Sequence, residues 1–405
     1  MFNIKKLRER PSNLLKLIPK NGFIRGDAPA QILNWKLIDS PNRPDCIQNE
    51  EGIQIFTTKN DVAFVRTPEE RFKNLKGFSF QPHYALIEGL RMHYIDEGPE
   101  NGDVILLLHG QPSWSYLYRK MIPLLSEAGY RVFAPDHIGM GRSDKPIDLS
   151  FHTYELHIIR MKNFIETLKL KNITLFCQDW GGLMGLRIVG NQPESFARVI
   201  AANTRLPIIP KGMNPFRIPN PIEIDCSLGA IEFKDLVNHY REPQNTRLKK
   251  NSELSHLKFF QQWIIYALTH PNLKPSQILQ HLTLIDLSSD ELAAYDAPFP
   301  SLIYKAAIRT FPSMIAAIEQ NNVQAWKNLG AFDKPFLFLG GEYDRNLGSL
   351  EIQNMLTKHI PGANGQPHQR YPNAGHFIQE DIGIELASKV ISFIEANPIS
   401  DQFKS

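Results

Sequence analysis

Cysteine is scarce in this chain. It carries three, Cys46, Cys177 and Cys226, an odd and widely spaced set that builds neither a disulfide framework nor a metal site. That usage suits a reducing compartment, and a cytoplasmic location is expected. No apolar run approaches the roughly 18 residues of a membrane span. No charged start followed by a long apolar core marks a secretory leader. Charge of one sign is lacking too: 45 Lys and Arg against 42 Asp and Glu leave a net +3. That excess is too small to argue for nucleic acid as a partner. There is no Gly-rich phosphate loop, dinucleotide fingerprint or metal-ligand spacing, so no cofactor and no metal are expected. Internal repeats and long low-complexity segments are absent.

What remains is a globular composition, 42% hydrophobic and 21% charged, in 405 residues. That length exceeds one ordinary core. Residues 1–60 lack sustained periodicity and hold Pro11, Pro19, Pro29, Pro41 and Pro44. They read as an extension of unknown role, with a short amphipathic helix near Leu14–Ile18. Within its first 27 residues Lys5, Lys6, Arg8, Arg10, Lys16, Lys20 and Arg25 face only Glu9 and Asp27. A solvated face explains such a run.

Order is expected from Thr67. Tyr84–Glu88 and Leu90–Asp96 alternate around Gly89 and predict a hairpin. Val104–Leu108, Arg131–Pro135, Ile173–Gln178 and Ala197–Ala202 are short apolar runs fit for buried strands. Tyr154–Leu168 has helical spacing. Strands alternating with helices predict a mostly parallel, doubly wound α/β sheet. The alternation stops near Leu206, where proline, polar residues and helix-like pieces such as Leu257–Leu268 and Ser289–Ala294 take over. It resumes with Pro335–Gly340 and a last strand near His368–Tyr371. So long an interruption is no loop. We read 61–205 and 311–405 as two parts of one sheet domain and 206–310 as an inserted helical cap.

The sequence Gln178-Asp179-Trp180-Gly181-Gly182 joins the apolar run Ile173–Cys177 to a helical pattern. Strand, sharp small-residue turn and helix make the nucleophile elbow of the α/β-hydrolase fold, normally built around serine. Here the slot holds Asp179. A carboxylate is already ionised at neutral pH and needs no base, which frees a histidine for another step. Asp344 follows the strand Phe336–Gly340, and His376 lies in Asn373-Ala374-Gly375-His376-Phe377. Nucleophile, acid, histidine is the chain order of hydrolase triads, and strand ends of such sheets converge at one edge. Each residue alone also reads as a surface loop residue; the ordered set does not.

His109-Gly110-Gln111-Pro112 directly follows Val104–Leu108, where this fold takes one oxyanion donor, the other coming from the residue after the nucleophile. The expected donors are the N–H groups of Gln111 and Trp180. The Trp180 indole can only donate, which suits a departing anion, although by itself a packing tryptophan at a helix start is the stronger reading. The implied reaction begins with attack by Asp179 on carbon to form an ester. Water activated by His376, oriented by Asp344, then cleaves the ester. The expected partners are a small apolar organic substrate and water.

In these motifs the chain resembles the haloalkane dehalogenases. The resemblance runs from about Val65 to Ile394. It includes Arg66-Thr67-Pro68-Glu69-Glu70-Arg71-Phe72, Trp114-Ser115-Tyr116-Leu117-Tyr118-Arg119 and Gly139–Pro146. It continues through Ala294-Tyr295-Asp296-Ala297-Pro298-Phe299-Pro300 and Arg309-Thr310-Phe311-Pro312. It implies Asp179 as nucleophile, His376 as base, Asp344 as acid, Trp180 as halide donor, and release of halide and an alcohol. Asn203 offers no acid after its strand, which favours Asp344. One departure stands out. The resembled subfamily takes a second halide donor from a cap tryptophan about twelve residues before the Ala-Tyr-x-Ala-Pro-Phe-Pro motif, where this chain has Leu282 or Thr283. Other subfamilies use an Asn after His-Gly, where this chain has Gln111. Trp263 is disfavoured by spacing. Related Asp-nucleophile proteins open epoxides or β-lactones, for which Tyr266, Tyr295 and Tyr304 are available cap tyrosines. A non-catalytic binding protein on the same fold is the third reading, and it has no need of all three triad groups.

Overall fold

A computed structural model describes residues 53–208, 233, 236, 259–270, 272–315 and 322–399. The expected helix near Leu14–Ile18, the basic segment, Cys46 and Cys226 lie outside the described residues. In chain order the strands are β1 (Ile55–Thr57), β2 (Ala63–Val65), β3 (His83–Ile87), β4 (Leu90–Glu97), β5 (Val104–Leu108), β6 (Arg131–Pro135), β7 (Lys145–Pro146), β8 (Ile173–Gln178), β9 (Phe196–Ala202), β10 (Phe336–Gly341) and β11 (Gln369–Tyr371).

Among the described residues eight strands form one sheet in the order β11-β10-β9-β8-β5-β6-β4-β3. The β3–β4 hairpin and the β4–β6 pair are antiparallel, and the other neighbours are parallel. The near-continuous apolar runs read from the sequence are the strands buried on both faces, as parallel strands covered by helices must be. All of β8 and β10 is buried. Order begins earlier than expected, at β1 rather than Thr67: β1 pairs with β2, which pairs with β7. With two or three residues each, β1, β2 and β7 show no alternation in the sequence.

Register decides what meets at the sheet's edge. Leu108 lies beside Cys177, Cys177 beside Ala201, and Ala202 beside Leu339. The loops leaving β5, β8, β9 and β10 therefore start level with one another. The helix Trp180–Asn191 packs under this edge against Val323–Leu329. The helix Tyr154–Thr167 starts where the Thr153 hydroxyl accepts the Leu156 N–H, a side-chain cap for one of the orphan donors of a first turn.

The inserted segment contributes Phe259–Thr269, Pro275–Leu282 and Ser289–Asp296. The last of these is opened by a capping box between Ser288 and Glu291. The next helix, Ala306–Met314, runs unbroken through Thr310, so the incoming cap and the returning core share one helix. The motifs outside the triad turn out to fasten cap to core. Thr67 Oγ1 donates to the Pro298 carbonyl and Arg71 Nε to the Ala297 carbonyl, each at 2.7 Å. Arg119 bridges Glu291 of the cap and Glu380 of the C-terminal helix, and the Tyr295 hydroxyl donates to the same Glu380. No helix among the described residues is long and apolar enough to cross a membrane.

Helix contact at Gly190 leaves no room for a side chain: a Cβ there would sit 2.5 Å from the Ala325 carbonyl oxygen. Gly190→Ala must push two helices apart, and overpacking of this kind costs about 1–3 kcal/mol or more. Urea unfolding of the variant should show a lowered midpoint, equivalent to a loss of at least about 1 kcal/mol of stability; an unchanged midpoint would contradict the packing.

Candidate active site

Asp179 stands at the end of β8 with φ 50° and ψ −126°, a strained backbone for a residue with a Cβ. The strain is held from several sides. The Asp179 N–H donates to the Asn203 carbonyl at 3.1 Å, and its own carbonyl accepts from Thr204 Oγ1 at 2.8 Å. Gly110 approaches so closely that a Cβ there would lie 2.4 Å from Asp179 Cβ and Oδ1. This close approach is what brings the Gln111 N–H to Asp179 Oδ1 at 2.9 Å.

The three groups expected to act together are together. His376 Nε2 lies 3.5 Å from Asp179 Oδ2, and His376 Nδ1 lies 2.8 Å from Asp344 Oδ2. Asp344 is buried, and its other oxygen accepts the N–H groups of Asn346 and Leu347 at 3.1 and 2.9 Å. These bonds fix the carboxylate so that one oxygen is left for the imidazole. Burial pushes the His376 pKa down, but the Asp344 and Asp179 carboxylates outweigh it and hold it up at about 10. With Asp179 free, His376 is an imidazolium at neutral pH.

Two amides that sequence reading did not single out as contacts hold the histidine loop. Asn203 Nδ2 donates to the carbonyls of Gly375 and His376 at 2.7 and 2.9 Å, while its Oδ1 accepts the Gly341 N–H at 2.8 Å. Asn203 thus ties the ends of β9 and β10 to the loop after β11. Gln178 Nε2 donates to the same His376 carbonyl at 3.0 Å. The available signal was positional: both residues end strands that lead to the site. Asn203 carries no acid here, and the acid partner of the imidazole is Asp344.

Trp180 is the first residue of its helix, so its backbone N–H has no intrahelical acceptor. Its indole packs edge-on against Phe311 at 5.3 Å and Tyr154 at 6.5 Å between ring centroids. Among the described residues the Trp180 indole N–H makes no hydrogen bond. Trp114 differs, since its indole donates to the Ala294 carbonyl at 3.2 Å. Of these two indoles, that of Trp180 is left without an acceptor among the described residues.

A second donor is not found where the sequence left room for one. The Gln111 side-chain amide is spent on the Ile308 carbonyl at 2.7 Å, tying the loop after β5 to the helix that carries Phe311. Leu282 presents its carbonyl, which accepts the His376 N–H at 2.9 Å. The Thr283 hydroxyl turns to the carbonyls of Gln280 and Ile285. Trp263 stacks on Tyr266 at 5.8 Å. Of the cap tyrosines, Tyr295 is committed to Glu380, away from Asp179.

Asp344→Asn removes the largest influence raising His376. The imidazole should then titrate well below about 10 when followed by NMR. The sign for stability follows from the direction. A pKa raised on folding contributes stability that is fully present below the unfolded value of 6.5 and is lost as pH rises through about 10. The electrostatic part of the stability gap between wild type and variant should therefore be full at pH 6.5 and fade towards pH 10. A gap that widened with pH would refute the assignment.

Comparison with known proteins gives the fold and the family. A family model described as the alpha/beta hydrolase fold matches residues 103–225. A haloalkane dehalogenase of Psychrobacter cryohalolentis is 39% identical over 347 residues, covering 83% of this chain and 100% of that protein. One from Mycobacterium marinum is 41% identical over 339 residues, covering 81% and 99%. The solved tetrameric haloalkane dehalogenase of Paraglaciecola agarilytica NO2 superposes with a TM-score of 0.64 at 31% identity, covering 81% of this chain and 98% of that one.

Proposed function

The chain belongs to the haloalkane dehalogenase family, and from that premise we propose that its hydrolysis of haloalkanes to alcohol and halide proceeds through an ester on Asp179. The observation that carries the reading is the single imidazole shared by two carboxylates, 3.5 Å from Asp179 and 2.8 Å from Asp344. A binding protein needs no such pair.

One Asp179 oxygen attacks the carbon that bears the halogen. A carbon–oxygen bond forms, the carbon–halogen bond breaks, and its electron pair leaves with the halide. The Trp180 indole N–H donates to the departing halide. Esterification then removes the Asp179 charge, one of the two that hold His376 protonated. The imidazolium, needing one partner fewer, releases its proton more readily. The same chemistry that consumes the nucleophile thus makes the base.

Neutral His376 next takes a proton from water at Nε2, and the hydroxide oxygen adds to the ester carbonyl carbon. The oxyanion so formed lies beside the Gln111 and Trp180 N–H groups. Loss of one such donor typically costs about 3–4 kcal/mol. Collapse expels the alkoxide, which takes a proton from His376 and leaves as the alcohol; the proton left on the Asp179 carboxyl then passes to His376 Nε2, restoring carboxylate and imidazolium together. Asp344 holds the imidazole tautomer and offsets its charge throughout.

The route makes the alcohol oxygen come from Asp179. In water labelled with oxygen-18, a single turnover should label Asp179 and leave the alcohol unlabelled; label in the first alcohol released would mean direct attack by water. His376→Gln should accumulate the alkyl-enzyme by mass spectrometry, and Asp179→Asn should release no bromide from a brominated alkane. Trp180→Phe keeps the ring against Phe311 but removes the donor. Loss of one hydrogen bond to a charged group costs about 1.5–3 kcal/mol, so alkylation should slow about ten- to hundredfold. An unchanged halide burst would remove Trp180 from its role.

A further inference from the structure

Asp381 takes no part in the chemistry above, yet its carboxylate joins two pieces of chain that matter to it. One oxygen accepts the cap N–H groups of Leu284 and Ile285 at 2.7 and 3.2 Å. The other accepts the Gly375 N–H at 2.7 Å, one residue before His376. The two segments also touch directly. The His376 N–H donates to the Leu282 carbonyl at 2.9 Å, and a Cβ on Gly375 would lie 2.5 Å from that carbonyl oxygen. The cap loop is not seated by its own apolar side chains, since Leu284 and Ile285 are 45% and 37% exposed. Gln280 holds Ile285 and Leu287 within the cap, but Asp381 is the side chain that ties this loop to the sheet domain.

We infer that Asp381 is a positioning residue that couples the seat of the cap loop to the aim of His376, so that ester hydrolysis depends on where the cap rests. The inference rests on the proposed two-step reading. Asn203 and Gln178 hold the His376 carbonyl from the sheet side, while Leu282 of the cap accepts the His376 N–H and Asp381 of the C-terminal helix accepts the Gly375 N–H. A loop pinned from both sides keeps Nε2 where water can be deprotonated towards the ester. A loop pinned from one side leaves the imidazole free to shift, and misplacement by about an ångström can cost a hundredfold in rate. Alkylation makes no such demand, because Asp179 is held by the elbow and not by this loop.

Asp381→Asn, close in size, and Asp381→Ala separate the two steps in rapid-quench kinetics with a brominated alkane on the full-length enzyme. The halide burst should keep its rate, and the alkyl-enzyme should decay about tenfold more slowly or worse. Added to His376→Gln, the Asp381 changes should slow hydrolysis no further, since they act through the same imidazole. Burst and decay falling together, or decay at the wild-type rate, overturns the inference. Absence of any Asp179 adduct in His376→Gln sinks the two-step reading instead. Should both variants fail to fold, hydrogen exchange on the unmodified enzyme decides: slow exchange at Gly375 and Leu284 supports the clamp, and fast exchange at either overturns it.

Discussion

One imidazole held between two carboxylates is the interaction on which the arrangement depends. Those groups belong to loops after β8, β10 and β11, and none can reach the others unless the parallel strands are in register. The positions beside one another at Leu108, Cys177, Ala201 and Ala202 bring the loops to one level. Hydrogen bonds then remove the remaining freedom. Asn203 alone spans the ends of three strands through its amide and meets the elbow through its backbone carbonyl. The positive φ of Asp179 is tolerable because this surrounding structure over-determines it.

The cap is the second half of the design, and it is joined to the core by polar contacts at several points. Arg71 and Thr67 hold the backbone at Ala297 and Pro298. Burial would push the Glu380 carboxyl up, yet Arg119 and Lys120 outweigh it and keep it below the ordinary range. An ionised Glu380 can accept from Tyr295 and Arg119 together, so a buried ion cluster here specifies where the cap sits. Gln111 adds a link at the site itself, joining the loop after β5 to the helix whose Phe311 packs on Trp180. Substrate-facing surfaces of cap and core are thereby set relative to each other by bonds that also run to the proposed catalytic groups.

Much of this was legible in the chain. The buried strands appeared as apolar runs, and β5, β6 and β8 match them residue for residue. The proposed triad was legible because turn chemistry and chain order are local properties: an acid in a strand–turn–helix elbow, an acid after a later strand, a histidine after the last. β1, β2 and β7 were not, since with two or three residues each they show no alternation, whereas the equally short β11 was expected from its place after the last helix–strand alternation. Nor was the choice between a Gln111 amide that meets the substrate and one that meets Ile308. A primary amide suits both, and only the position of a residue nearly two hundred places further on decides.

The sequence by itself determined the chemistry on offer: an aspartate in the nucleophile slot, a histidine released from activating it, and a tryptophan able only to donate. Those follow from residue type and from neighbours a few positions away. Tertiary structure decided which donors are free. It gave the Trp114 indole to Ala294, the Gln111 amide to Ile308 and the Tyr295 hydroxyl to Glu380, and left the Trp180 indole without an acceptor among the described residues. It also decided that the cap loop and the His376 loop share one carboxylate. Hydrogen-bond partners distant in sequence are chosen by packing, and no local pattern encodes that choice.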